Sequence, residues 1–160
     1  MCDLCKVNPL SHSFDYLTEV SGVHVFYTSF QHVLDYSNFT TVRNHMDQSL
    51  SQHSTNKWIW IVDAKHLASK HMSQMSVSIS MIKHLRTVYK ETLVNMYLLN
   101  SGFLIKAAFK TLMPFINQTF YNSIILLQGT RLELLVKFQA RGWTVRELEP
   151  LMDRLLVEYG

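Results

Sequence analysis

The side chains best suited to chemistry in this chain are two cysteines, eight histidines and one well-placed aspartate. Cys2 and Cys5 form a Cys-x-x-Cys pair, a spacing that lets two thiolates meet one zinc ion, yet a structural zinc site takes four ligands. His12 can supply a third, and there is no second cysteine pair. The sequence therefore assigns no metal and reads the pair as a reduced terminus that frays. His24, His32, His45, His53, His66, His71 and His84 share no ligand spacing of the His-x-His kind and read as surface or half-buried side chains. Asp63 closes an apolar run, the place where α/β sheets collect functional groups, although a carboxylate there also serves to cap the following turn.

Other chemistry is missing. There is no Gly-rich phosphate loop, no GxGxxG, no GxSxG elbow and no HExxH, so a non-enzymatic protein without a cofactor is expected. Fifteen basic against 12 acidic residues leave a net charge of +3, too little for phosphate binding to lead, and no nucleic-acid partner is expected. No apolar run approaches the ~20 residues of a membrane span, and no secretory signal opens the chain, which points to the cytoplasm. Asn38-Phe39-Thr40 and Asn117-Gln118-Thr119 match the glycosylation pattern but are discounted for want of a route to the secretory lumen. With 160 residues, 48% hydrophobic and 17% charged, the chain can bury one core, and its 8 methionines suit apolar surface kept for a pocket or a partner.

The hydrophobic pattern predicts the elements that position these groups. Val23 to Thr28, after Gly22, is β-branched and aromatic and predicts a first strand. Lys57 to Asp63 is apolar on both faces and belongs mid-sheet, Leu93 to Asn100 is a third strand and Ser123 to Leu127 a fourth. Helical spacing appears over 39–50, with Val42, Met46 and Leu50 inward and Ser37 or Asn38 as cap, and over 73–90, with Met75, Ile79, Ile82, Leu85 and Tyr89 on one side and Lys83, Arg86 and Lys90 on the other. Further helices are predicted over 103–113, stopped near Pro114, over 131–139, ended by Gly142, and over 144–158 with a break at Pro150. The alternation predicts an α/β fold, a mostly parallel sheet of about four to five strands covered by helices, over residues 21–160, with 1–20 a flexible extension.

Within this frame, Tyr89 to Asn100, followed by Phe103, Phe109, Pro114-Phe115-Ile116 and Ile124 to Leu127, resembles the core of the CRAL-TRIO lipid-binding domain. Gly22 to Tyr27 and Trp60 to Lys65 resemble two earlier strands of that family, so the likeness spans about residues 20 to 130. It implies an amphiphilic ligand in a cleft floored by the sheet and gated by the helix after the third strand, here Phe103 to Met113. Tyr27, Ile61, Phe103, Phe109, Leu112 and Phe115 are then candidates to line the cleft and Glu91 to meet a headgroup. Lys83, Arg86, Lys90, Lys106 and Lys110 are candidates for a membrane or partner surface.

The sequence also departs from the family. The lysine that meets a lipid phosphate in phosphoinositide-binding members aligns with Ser123, removing the paired charge. The helical lobe that precedes the domain has no room ahead of the first strand at Val23, and the family's ending is at best echoed by Glu158-Tyr159-Gly160. These departures keep open a second reading, since the BCH scaffold domains are similar to CRAL-TRIO and bind proteins. A self-associating structural protein is a third reading, and Trp58, Trp60 and Trp143 serve either its interface or the core.

Overall fold

The computed structural model describes residues 2–31, 33, 36–53 and 56–159. His32, Gly160 and part of the loop expected over 52–56 lie outside the described residues. Five strands, β1 (Asp15–Val20), β2 (Val23–Ser29), β3 (Trp58–Asp63), β4 (Leu93–Leu99) and β5 (Ile124–Leu127), form one sheet in sequence order. β1 pairs antiparallel with β2, and β2 through β5 run parallel. The helices are α1 (Asp3–Val7), α2 (Phe39–Gln52), α3 (Ser69–Met72), α4 (Met75–Val88), α5 (Phe103–Leu112), α6 (Gln118–Ser123), α7 (Arg131–Gln139) and α8 (Val145–Tyr159), with a 3-10 turn over Met113–Phe115. This is the α/β architecture that the alternation of elements predicts.

Successive residues of a strand face opposite sides, and the register sorts the core into two layers. Val25 and Tyr27 of β2, Ile59 and Ile61 of β3, and Tyr97 and Leu99 of β4 pack against Leu134, Phe138, Leu148, Leu151 and Leu155 of α7 and α8. Phe26, Trp58, Val62, Met96 and Leu98 face the other way, onto Met46 and Leu50 of α2 and Met81, Ile82 and Leu85 of α4.

Capping explains several boundaries. Asn38 accepts from the Thr40 and Thr41 amides to open α2, and Asn117 accepts from Phe120 N to open α6, so both asparagines of the glycosylation patterns are helix caps. Thr130 with Glu133 and Thr144 with Glu147 form reciprocal capping boxes for α7 and α8. α8 runs through Pro150 unbroken, and the helix expected over 73–90 is the single helix α4, preceded by the short α3 across a turn at Ser73 and Gln74. Pro150 lies in the second turn of an amphipathic helix whose Leu148, Leu151 and Leu155 are fully buried, and that burial outweighs one lost hydrogen bond.

Residues 1–20, expected as an extension, contain α1 and β1. β1 and β2 are joined by Ser21-Gly22 alone, with φ of 51° and 79°, the two left-handed residues of a type I′ hairpin turn. A β-carbon at Gly22 would meet no atom within 4 Å, so the turn needs glycine for its dihedral and not for space. We expect Gly22→Ala to cost about 1 kcal/mol and Ser21→Asn to be neutral or stabilising in urea denaturation, because asparagine tolerates the left-handed region better. Equal stability of Gly22→Ala and the parent would contradict this turn.

Candidate functional site

Between the sheet and the α2–α4–α5 layer lies a cleft of about 170 Å³. Trp60, Val62, Met96 and Leu98 make its floor, Met46 and Met81 its walls, and Ile105, Ala108, Phe109 and Leu112 its roof. Its few polar groups gather around Thr28, whose hydroxyl accepts from Trp60 Nε1 at 2.8 Å, and around His12, His45, Tyr36 and Ser78. An apolar cavity of about 150 Å³ takes up a molecule the size of benzene, so the cleft as it stands admits a short apolar segment.

The walls are braced. Asp47 on α2 accepts from the Tyr89 hydroxyl at 2.6 Å and lies 2.9 Å from His84 Nε2, tying α2 to the end of α4. The roof is held differently. α5 is the most apolar of the longer helices α2, α4, α5, α7 and α8, yet only Ala108 of its ten residues is buried; Ile105, Phe109 and Leu112 are half-buried and Phe103 is 81% exposed. Its ends are fastened to the body: Gln128 Nε2 donates to the Ser101 carbonyl at 2.7 Å, and the Arg86 guanidinium donates to the Phe115 carbonyl. Its one side-chain hydrogen bond among the described residues is internal, from Thr111 to Ala107.

Of the residues the sequence nominates, Phe109 and Leu112 line the cleft. Tyr27 and Ile61 are buried on the opposite face of the sheet, under α8. Phe103 points to solvent, and Phe115 packs on the edge of the cleft's core with Lys83 Nζ 5.1 Å from its ring centre. Glu91 is exposed in the turn before β4, where its carbonyl accepts from Lys57 Nζ at 2.6 Å. Lys90, Lys106 and Lys110 are exposed, whereas Arg86 is half-buried in its bond to Phe115. Sequence reasoning missed Trp60, Met96 and Leu98 as the floor and Ile105 and Ala108 as the roof; the i, i+3, i+4, i+7 stripe Ile105, Ala108, Phe109, Leu112 was the available signal for the roof.

At one edge of the cleft, four side chains on two separate segments converge. Cys2, Cys5 and His12 come from the amino-terminal segment and His45 from α2, all are buried, and their ligating atoms lie within 4.8 Å of one another. Burial is the main cause that pushes the Cys5 thiol up to about 11 and that holds His45 below the usual imidazole range.

A second polar cluster closes the carboxyl end of β3. Asp63, 1% exposed, accepts from the Tyr27 hydroxyl at 3.0 Å, the Lys65 amide at 3.0 Å and the Tyr159 hydroxyl at 3.2 Å. Asn100, left-handed at φ 50°, donates to the Tyr159 hydroxyl and accepts from Gly129 N at 2.9 Å. Asp63 is thus the capping group of its own turn and a tie between β2, β3 and the last turn of α8. Burial is the first cause that lifts its carboxyl above the ordinary 3.8, against these three hydrogen bonds.

The family model described as CRAL/TRIO domain matches residues 20–141. Among solved structures, the chain is similar to the crystal structure of Sfh5, with a TM-score of 0.54 and 17% identity over 76% of this chain. The likeness takes in 53% of Sfh5, so the chain spans about half of that structure's length. A comparison with curated proteins finds no match. Among the described residues, no helix is long and apolar enough to cross a membrane.

The raised carboxyl of Asp63 gives a pH dependence of definite sign. The folded chain binds this proton more tightly than the unfolded chain, so the associated stability is full below about 3.8 and is lost as pH rises through the folded value. Unfolding free energies measured by urea between pH 4 and 7 should therefore fall relative to those of Asp63→Asn as pH rises, and parallel curves would remove Asp63 from this role. Asp63→Ala, which leaves two tyrosine hydroxyls and an amide without their acceptor, should cost about 3 kcal/mol.

Proposed function

Because the chain belongs to the CRAL/TRIO domain family, we propose that it binds a lipid or another small hydrophobic ligand in the cleft beneath α5 and that α5 is the gate. The observation that carries this reading is the roof itself: a helix rich in large apolar side chains that buries a single alanine. Core helices bury their apolar stripe fully, as α8 does with Leu148, Leu151 and Leu155.

Lifting α5 would expose half-buried Ile105, Phe109 and Leu112, a cost of about 3 to 4 kcal/mol that about five buried ligand methylenes would offset. With both ends fastened at Ser101 and Phe115, the helix would swing outward between two fixed points. Phe103, Lys106 and Lys110 stand on its outer side, an apolar anchor with two cations suited to an anionic bilayer surface where a ligand would be exchanged. Recognition of the ligand's polar end would fall to Thr28, Tyr36 and Ser78. The work proposed is binding and exchange, with no chemical step.

A docking module for another protein is the second reading, and a separate observation favours it. Leu132 and Leu156, each more than half exposed, line a shallow hollow with Lys65 and Arg131 at the carboxyl ends of the strands.

Native mass spectrometry of the purified protein, followed by organic extraction, should find a stoichiometric lipid or uptake of a fluorescent fatty acid or phospholipid. Ala108→Phe fills the cleft from its roof and should weaken that uptake at least tenfold at unchanged thermal stability. A parent protein that carries no lipid and takes up neither probe would overturn the reading in favour of protein docking, and undiminished uptake by a folded Ala108→Phe would place the ligand elsewhere.

A further inference from the structure

We infer that Cys2, Cys5, His12 and His45 form a tetrahedral structural zinc site that fastens the amino-terminal segment to α2. All four ligand atoms lie within 4.8 Å of one another, and three of the sulfur–nitrogen separations are already those a zinc ion demands. Zn–S bonds of about 2.3 Å and Zn–N bonds of about 2.05 Å at tetrahedral angles place each sulfur ~3.6 Å from each nitrogen. The structure has Cys2 Sγ 3.4 Å from His12 Nδ1, Cys5 Sγ 3.5 Å from His12 Nδ1 and Cys5 Sγ 3.5 Å from His45 Nδ1.

The surroundings fit the same ion. His45 Nε2 lies 3.1 Å from the Phe14 carbonyl, a bond that needs its proton on Nε2 and so turns the lone pair of Nδ1 toward the sulfurs, as outer partners of zinc-bound histidines do. The Cys5 amide donates to Cys2 Sγ at 3.3 Å, the backbone support that a thiolate in a Cys-x-x-Cys turn receives. Two thiolates with two neutral imidazoles cancel the charge of one divalent zinc, which makes a buried site affordable in solvation terms. Without an ion, four buried polar side chains occupy a position where apolar ones would pack, and the thiols meet the imidazoles through weak sulfur–nitrogen contacts. Among the described residues, no other group of three or more His, Cys, Asp and Glu side chains converges in this way.

The site also has a structural purpose. α1 is five residues long, too short to hold itself. The segment after it carries His12 and Ser13, which line the cleft, and Phe14, which stacks on Phe26 with ring centres 4.8 Å apart. A metal staple would fix this wall against α2. The cysteine pair is visible in the sequence, but His45 lies far along the chain from His12, and only the fold brings it in.

The test uses the full chain, purified under reducing conditions with and without chelator. Elemental analysis and native mass spectrometry should find one zinc per chain without chelator. The chelated protein should take up one cobalt(II), giving the d–d bands of a tetrahedral centre and a thiolate-to-cobalt charge-transfer band. Cys5→Ser and His45→Asn should each weaken zinc at least a hundredfold in competition with a chromophoric chelator. If a variant unfolds, the parent decides: zinc should raise its unfolding temperature and magnesium should not. A folded, reduced parent that binds neither zinc nor cobalt stoichiometrically overturns the assignment, as does a Cys2–Cys5 disulfide in protein taken directly from cells, or variants that bind zinc like the parent.

Discussion

Parallel strands such as Trp58–Asp63 and Leu93–Leu99 are apolar on both sides, so neither side of this sheet can be left to water and each must be roofed by helices. The two roofs are unequal. On one side α7 and α8 drive Leu134, Phe138, Leu148, Leu151 and Leu155 into the sheet with almost no exposure, a layer packed like any protein interior. On the other, α2 and α4 fill part of the span and α5 covers the remainder with one buried alanine, leaving a cleft over Trp60, Val62, Met96 and Leu98. The candidate site is therefore the part of a necessary layer that the chain does not fill with its own side chains.

That same two-sided burial limits what the sequence discloses. Strand alternation normally tells inside from outside, but where both faces are apolar it separates nothing, and a shift of one residue exchanges the layers. The family resemblance nominates Tyr27 and Ile61 for the cleft, and alternation offers nothing to correct it: they sit beneath α8, while their neighbours Thr28, Trp60 and Val62 face the cleft. Helices were more legible, since a stripe at 3.6-residue spacing carries its own direction: α2, α5 and α7 stand close to where the pattern puts them. β1 escaped because Asp15–Val20 mixes charged and apolar residues without strict alternation, although the Ser21-Gly22 pair beside it was a hairpin signal.

Polar groups were legible in type and not in partnership. Asp63 could be read as capping its turn, and it does accept from Lys65 N, but nothing local announces that Tyr27 and Tyr159, 36 and 96 residues away, also bond to it. The cysteine pair likewise advertises two ligands and conceals the fourth, because His45 sits in an ordinary amphipathic helix and is brought there by the docking of α2 on the sheet.

The two polar clusters divide the labour of holding the layers. Asp63, Asn100 and Tyr159 fasten the end of α8 to the strand tips, securing the filled layer, while the cysteines and histidines join the amino-terminal segment to α2 at the wall of the cleft. Asp47 with Tyr89 and His84 braces α2 against α4. α5 alone, among the described elements around the cleft, has no polar side-chain tie to its neighbours along its length, and the bonds at Ser101 and Phe115 hold only its two ends. Apolar contact is non-directional, so such a helix can slide or lift at modest cost, whereas polar ties either hold their geometry or break. In the proposed binding cycle, movement would therefore fall on α5, and the polar ties of the elements around it would hold the place to which the helix returns.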